Sequence, residues 1–230
     1  MTDGRRNPSA IQESPTAPHG GAVGNPKMSG GKIVMYKKQM TVQRVICLLS
    51  IVASVIVFLY ALGIMTDMYD SLKPTMMNDS DYTQTMVPGS IIYYDMQPFN
   101  HTLLRASIGL ILLSCLLFLM NTHVRRKYYV GNYIAVLLNV VANVCVAVWA
   151  HGQITTFRAQ FLTVDFAALE MFATAMKTLY TESTFWFDIH YAVFALTLLV
   201  SVLLVVNVIW KVRLMNEEKR LLAAGKAVSA

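Results

Sequence analysis

Four stretches of the chain are almost entirely apolar. Val45–Thr66, Ala106–Val124, Val130–Ala150 and Ile189–Trp210 each run without an Asp, Glu, Lys or Arg. A helix needs about 20 apolar residues to cross a hydrocarbon layer about 30 Å thick. Lipid offers no water to the backbone, so a spanning segment must satisfy its own amides as a helix. The pattern predicts an all-α polytopic membrane protein with four transmembrane helices in a bundle. The expected spans are about 45–66, 103–124, 130–151 and 189–210, within a membrane domain of 41–214. They are joined by long connections at 67–102 and 152–188 and a short one at 125–129.

The connections carry their own patterns. In the second long one, Phe157, Phe161, Val164, Leu169, Phe172, Met176 and Leu179 recur every three to five residues, with Asp165, Glu170 and Lys177 between them. That periodicity predicts an amphipathic helix, set to lie on the bilayer, cover the bundle or meet a partner. Phe185, Trp186 and Phe187 lead into the fourth span, and Trp210 ends it; Trp186 and Trp210 read as interface anchors. In the first long connection Pro88-Gly89 predicts a turn, and IIYYDMQ after it has strand character, ended by Pro98.

Composition agrees with the pattern: 55% of the residues are hydrophobic and only 14% charged, against about 25% charged in an average soluble domain. Residues 1–40 differ, holding four of the seven prolines and six of the twelve glycines. They read as a disordered tail, and 215–230 as a second, C-terminal tail. The first apolar run starts too late and is too long for the core of a secretory signal.

Charge sets the expected orientation. Fifteen of the nineteen basic residues precede the first span, lie in the short connection (Arg125, Arg126, Lys127) or follow the last span. The two long connections, with the adjoining lip of the second span, hold nine acids and only Lys73, Arg105, Arg158 and Lys177. Basic flanks stay in the cytoplasm, so both termini are expected inside, with the protein in the cell membrane. The formal charge of +6 then divides into +11 inside and −5 outside. This asymmetry accounts for the basic excess, and no nucleic-acid partner is implied.

Each span also carries a polar stripe. Asn132, Asn139 and Asn143 fall within about 40° of one another at 100° per residue, and His190, Thr197 and Ser201 repeat the same offsets. Cys47, Ser50, Ser54 and Ala61 mark the first span, and Ser107 and Ser114 the second. Small and polar residues on one face let membrane helices approach and hydrogen-bond. The stripes therefore predict helix packing, with a polar path through the bundle as the alternative. Pumps and proton routes usually need ionisable groups inside the membrane, and the four runs have no Asp, Glu, Lys or Arg.

Signals for chemistry are sparse. His101, His151 and His190 all fall near the outer ends of spans, where imidazoles and nearby carboxylates could hold a divalent metal. They lack a ligand-like short spacing. No P-loop, GxSxG or dinucleotide-binding glycine pattern occurs. Cys47, Cys115 and Cys145 sit singly in apolar runs, which suggests no redox pair. No catalytic residue and no cofactor is expected. Asn78-Asp79-Ser80 and Asn100-His101-Thr102 match the N-glycosylation pattern, and both read as chance matches. Tetraspanins and claudins share the four-span outline, but their outer loops bear cysteines and these do not. The expected function is that of a non-enzymatic accessory or scaffold subunit of a membrane complex. Its partners would be the lipid bilayer and a second membrane protein or another copy of the chain. The alternative is a small-solute transporter or channel lined by Asn132, Asn139, Asn143, Thr197 and Ser201.

Overall fold

A computed structural model describes residues 30–68, 87–121, 130–176 and 182–228. The acidic run at Asp67–Asp70 in part, the sequon at Asn78, the short basic connection and Leu179 lie outside these residues, as do the side chains of Phe172 and Met176. Five helices are described: α1 (Gly30–Met68), α2 (Ile92–Asn121), α3 (Val130–Phe161), α4 (Phe166–Met176) and α5 (Phe185–Val228). Among the described residues there is no strand. Four of the helices, all but α4, are long and apolar enough to cross a membrane, the pattern of a multi-pass membrane protein.

All four long helices outrun the apolar stretches that announce them. α1 begins at Gly30, within the segment expected to be a tail, and α5 continues through most of the second expected tail. α2 begins at Ile92, so IIYYDMQ is not a strand. Its β-branched and aromatic residues pack as well on a helix face, and strand preference is mainly a preference for a half-buried surface. Ile92, Tyr93 and Met96 are all buried there. Pro98 is inside α2 rather than before it, and Thr102 Oγ1 donates to its carbonyl at 2.7 Å.

The long helices form a ring in which α1 packs on α2 and α5, and α3 packs on the same two neighbours. Inward positions show why. The buried residues of α2 include Tyr93, Met96, Asn100, Leu103, Ser107, Leu110, Ser114, Leu117 and Asn121, alternating steps of three and four. That 3.5-residue repeat is the seam of a left-handed bundle. The outward positions, such as Leu112, Leu119, Leu137, Val148, Leu199 and Val202, are large, apolar and exposed, as a lipid-facing surface requires.

Two apolar clusters fill the ring. One, nearer the long connections, gathers Tyr60, Ile64, Leu103, Leu110, Ala150, Ile154, Phe161 and Phe194. The other, nearer the short connection, gathers Ile46, Ala53, Leu117, Val136, Val200 and Leu204. Phe157 and Phe161, expected in a loop helix, belong to α3 and are buried, as is Ile154 before them. Only the later part of that amphipathic pattern becomes α4, whose Leu169 packs into the first cluster.

The long connections also meet each other. Asp165 caps α4, its Oδ1 accepting from Ala168 N at 3.0 Å, and its own N–H donates to Pro88 O at 3.0 Å. The Pro88-Gly89 turn forms as expected. Gly89 has φ +82°, and a Cβ there would stand 2.8 Å from Thr163 O, so both conformation and space require glycine.

Trp186 is more than an interface anchor. Its indole fills the space where a side chain at Gly63 would stand, and its carbonyl accepts from Tyr60 Oη at 3.0 Å. Gly63 thereby lets α1 and α5 approach. Gly63→Val should destabilise the chain by about 2 kcal/mol through overpacking. Gly109→Ala and Gly152→Ala, where a Cβ meets nothing within 4 Å, should match or slightly exceed the parent. Thermal unfolding in detergent measures all three.

Candidate functional site

The polar stripes converge on one layer between the two apolar clusters. Ser50 and Ser54 come from α1, Ser114 from α2, Asn139 and Asn143 from α3, and Thr197 and Ser201 from α5. All are buried. Asn139 is the hub. Its Oδ1 accepts from Ser50 Oγ at 3.2 Å and from Asn143 Nδ2 at 3.0 Å. Its Nδ2 donates to Ser114 Oγ at 3.0 Å. The Ser114 hydroxyl also pairs with those of Ser50 and Ser54, at 3.0 and 2.9 Å. Asn143 Nδ2 reaches Ser201 Oγ at 3.3 Å. One connected network thus touches all four spanning helices. Its Ser50–Asn139 bond crosses the ring from α1 to α3.

The same-helix bonds complete the layer. Ser201 and Thr197 donate back to the carbonyls of Thr197 and Val193, and Ser54 donates to Ser50 O. Ser107, although buried, donates to Leu104 O and bonds no other helix among the described residues. Of the inward polar residues expected from sequence, Asn132 lies apart from this layer, near Asn121. The layer's side chains are amides and hydroxyls, which bond the four helices to one another.

A second amide layer crosses the ring nearer the short connection. Gln39 Nε2 donates to Gln43 Oε1 at 2.9 Å and to Asn207 Oδ1 at 3.2 Å. Gln43 Nε2 donates to Asn121 O and Oδ1 at 2.8 and 3.0 Å. Asn121 Nδ2 reaches Leu117 O and Asn132 O at 3.2 and 3.4 Å. Except for Asn132, these residues fall outside the stripes legible in the sequence. Gln39 and Gln43 precede the first uncharged run, and a 3.6-residue projection of α1 beyond that run would have found them.

At the opposite end, two of the three histidines meet. His151 Nδ1 and His190 Nε2 are 3.0 Å apart, and His190 Nδ1 bonds Phe187 O. A carbonyl only accepts, so His190 carries its proton on Nδ1. Its Nε2 then accepts from His151 Nδ1–H, and His151 itself is exposed. His101 is exposed on α2, and no group of three or more metal-ligating side chains occurs among the described residues. Asp188 instead pairs with Arg158 Nε at 2.9 Å and accepts from Thr184 Oγ1 at 2.8 Å. The cysteines are dispersed: Cys47 is buried, Cys115 half-buried, and Cys145 exposed rather than interior. Trp210 is half-buried near the end of the fourth apolar run.

Asn100 stands alone. It is 0% exposed, and neither amide atom has a hydrogen-bond partner among the described residues. Its sequon is therefore closed to a glycan in the folded chain. Comparison of the chain with protein-family models, curated proteins and solved structures finds no match.

The network assigns unequal weights to its members. Interhelical side-chain hydrogen bonds in membranes average about 0.6 kcal/mol each. Asn139→Leu, which removes two of these and one bond within α3, should cost about 1–2 kcal/mol, and Asn143→Leu about 0.6–1 kcal/mol. Asn100→Leu should instead raise stability by about 1 kcal/mol, because it removes an unsatisfied buried amide. Reversible unfolding in mixed micelles ranks the three.

Proposed function

We propose that this chain is a non-enzymatic accessory or scaffold subunit of a membrane complex. One observation carries the reading: the polar side chains in the middle of the bundle bond one another directly, at 2.9–3.3 Å. A solute path along the same stripe needs water between those groups, and these separations leave no room for it. The interior is built as a fixed joint between helices. The broad exposed apolar perimeter offers lipid, or a second membrane protein, a surface to lie against.

The positive-inside bias supports a cytoplasmic location for both termini and the short connection. The long connections, with α4 and the Pro88–Asp165 contact, would then face outward as a covering for the bundle. That face is where a partner's outer domain would dock.

Purification in mild detergent with mass spectrometry tests the role. The expected result is a complex containing a second membrane protein or further copies of this chain. A lone species that passes small solutes in liposomes would contradict it. Orientation is tested separately by single cysteines, in a background with the native cysteines replaced. Ser80→Cys and Thr181→Cys should react with a membrane-impermeant reagent on intact cells and Ser9→Cys should not. Labelling at Ser9 with silence at the other two would reverse the topology.

A further inference from the structure

Lys211 follows the fourth apolar run directly, where a lysine ordinarily extends its ammonium to the water at the membrane surface. Here it does not. α5 continues through position 211 without a break, and Lys211 is only 3% exposed. Its side chain turns into the ring and lines a cavity with Gln43, Cys47, Asn121, Tyr133 and Asn207. The cavity has room for about one water-sized sphere. Its nine lining residues include no Asp or Glu. The connection 122–129 contains no acid either, and Glu217 and Glu218 stand about two turns further along α5. The ring of Tyr133 lies 5.4 Å from Nζ, and a ring face offsets an ammonium only in part; the buried Cys47 sulfur is the other group of the cavity that acts on its charge.

The amides around it point the same way. The oxygens Gln43 Oε1, Asn121 Oδ1 and Asn207 Oδ1 already accept from Gln39 or Gln43. Asn207 Nδ2 and the Lys211 ammonium are donors without a hydrogen-bond partner among the described residues. Among the described residues the cavity lining therefore presents one ammonium and an amide N–H but no carboxylate, and the layer's unpartnered acceptor, Gln39 Oε1, belongs to a residue outside that lining. An ammonium withdrawn from water with no counter-charge is costly. An anion small enough for a one-water cavity would offset that cost.

We propose that this cavity is a halide site, in which a chloride ion sits against Lys211 Nζ and ties α5 to the amide layer. Size excludes a tetrahedral oxyanion such as a lipid phosphate from the interior of the cavity. A halide is monatomic, takes N–H donors from any direction and carries the single charge that Lys211 needs. The inference is independent of the scaffold role, since it rests on the charge and size of one cavity.

Thermal unfolding of the full chain in detergent tests it, with sodium chloride, bromide, gluconate, sulfate and phosphate compared at equal ionic strength. Chloride and bromide should raise the midpoint over gluconate by about 3 °C, while sulfate and phosphate should match gluconate. Lys211→Met should show one midpoint in all five salts, and in gluconate should be at least as stable as the parent. Three results would overturn the proposal: no halide effect on the parent, a halide effect that survives in Lys211→Met, or a rise with phosphate or added phosphatidylglycerol in place of chloride, which would identify a headgroup site. Crystals of the unsubstituted chain grown in bromide give a reading that needs no variant. Anomalous density beside Lys211 Nζ supports the halide, and a cavity without it refutes the site.

Discussion

A side-chain amide inside a membrane has no water to fall back on, and this constraint organises the bundle. Asn139 must find its partners on other helices, and it finds them on α1 and α2 while Asn143 reaches α5. Meeting all of these at once fixes the axial position of every spanning helix. Sliding one helix by a turn, about 5.4 Å, would strand several buried polar groups together. Apolar packing above and below the layer cannot impose that register by itself. Lipid tails are as apolar as leucine, so the hydrophobic effect does not discriminate between helix and lipid contacts.

The two ends of the ring are finished differently. Near the long connections the chain closes with aromatic and backbone contacts: Trp186 over Gly63, Tyr60 on the Trp186 carbonyl, and Pro88 bound to Asp165. The Arg158–Asp188 pair there is partly exposed, and such pairs contribute about 0–1 kcal/mol. At the other end the closing element is polar. Gln39, Gln43, Asn121, Asn132 and Asn207 form an amide lattice, and Lys211 lies inside it rather than at the water surface. A bundle held by hydrogen bonds at two depths is suited to keeping its shape while its apolar perimeter meets lipid or another protein.

The bundle is legible in the sequence because uncharged runs of this length rarely occur outside a membrane, and the inward stripes follow from helical periodicity alone. Asn139, Asn143, Ser201, Ser50, Ser54 and Ser114 are all where that projection puts them. The residues that periodicity misses share one cause: charge and turn signals mark helix boundaries only loosely. Lys211 and Gln43 fall just beyond uncharged runs, yet the helices continue through both. Pro98 similarly suggests an ending, although α2 runs straight past it. IIYYDMQ has strand composition, but its burial on α2 decides its conformation. The His151–His190 contact and the isolation of Asn100 depend on tertiary placement, which periodicity cannot give.

The central claim is that the middle of the bundle is a dry, mutually bonded joint. Accessibility at Ser114 tests it most directly, since this residue contacts α1 and α3 at once. With the native cysteines replaced by alanine, Ser114→Cys keeps nearly the same volume and places a thiol in the layer. The account predicts no reaction with a small water-soluble thiol reagent in the folded protein, full reaction after unfolding, and prompt reaction at the exposed control His101→Cys. Labelling of Ser114→Cys in the folded protein at the rate of that control would show water in the layer and contradict the account.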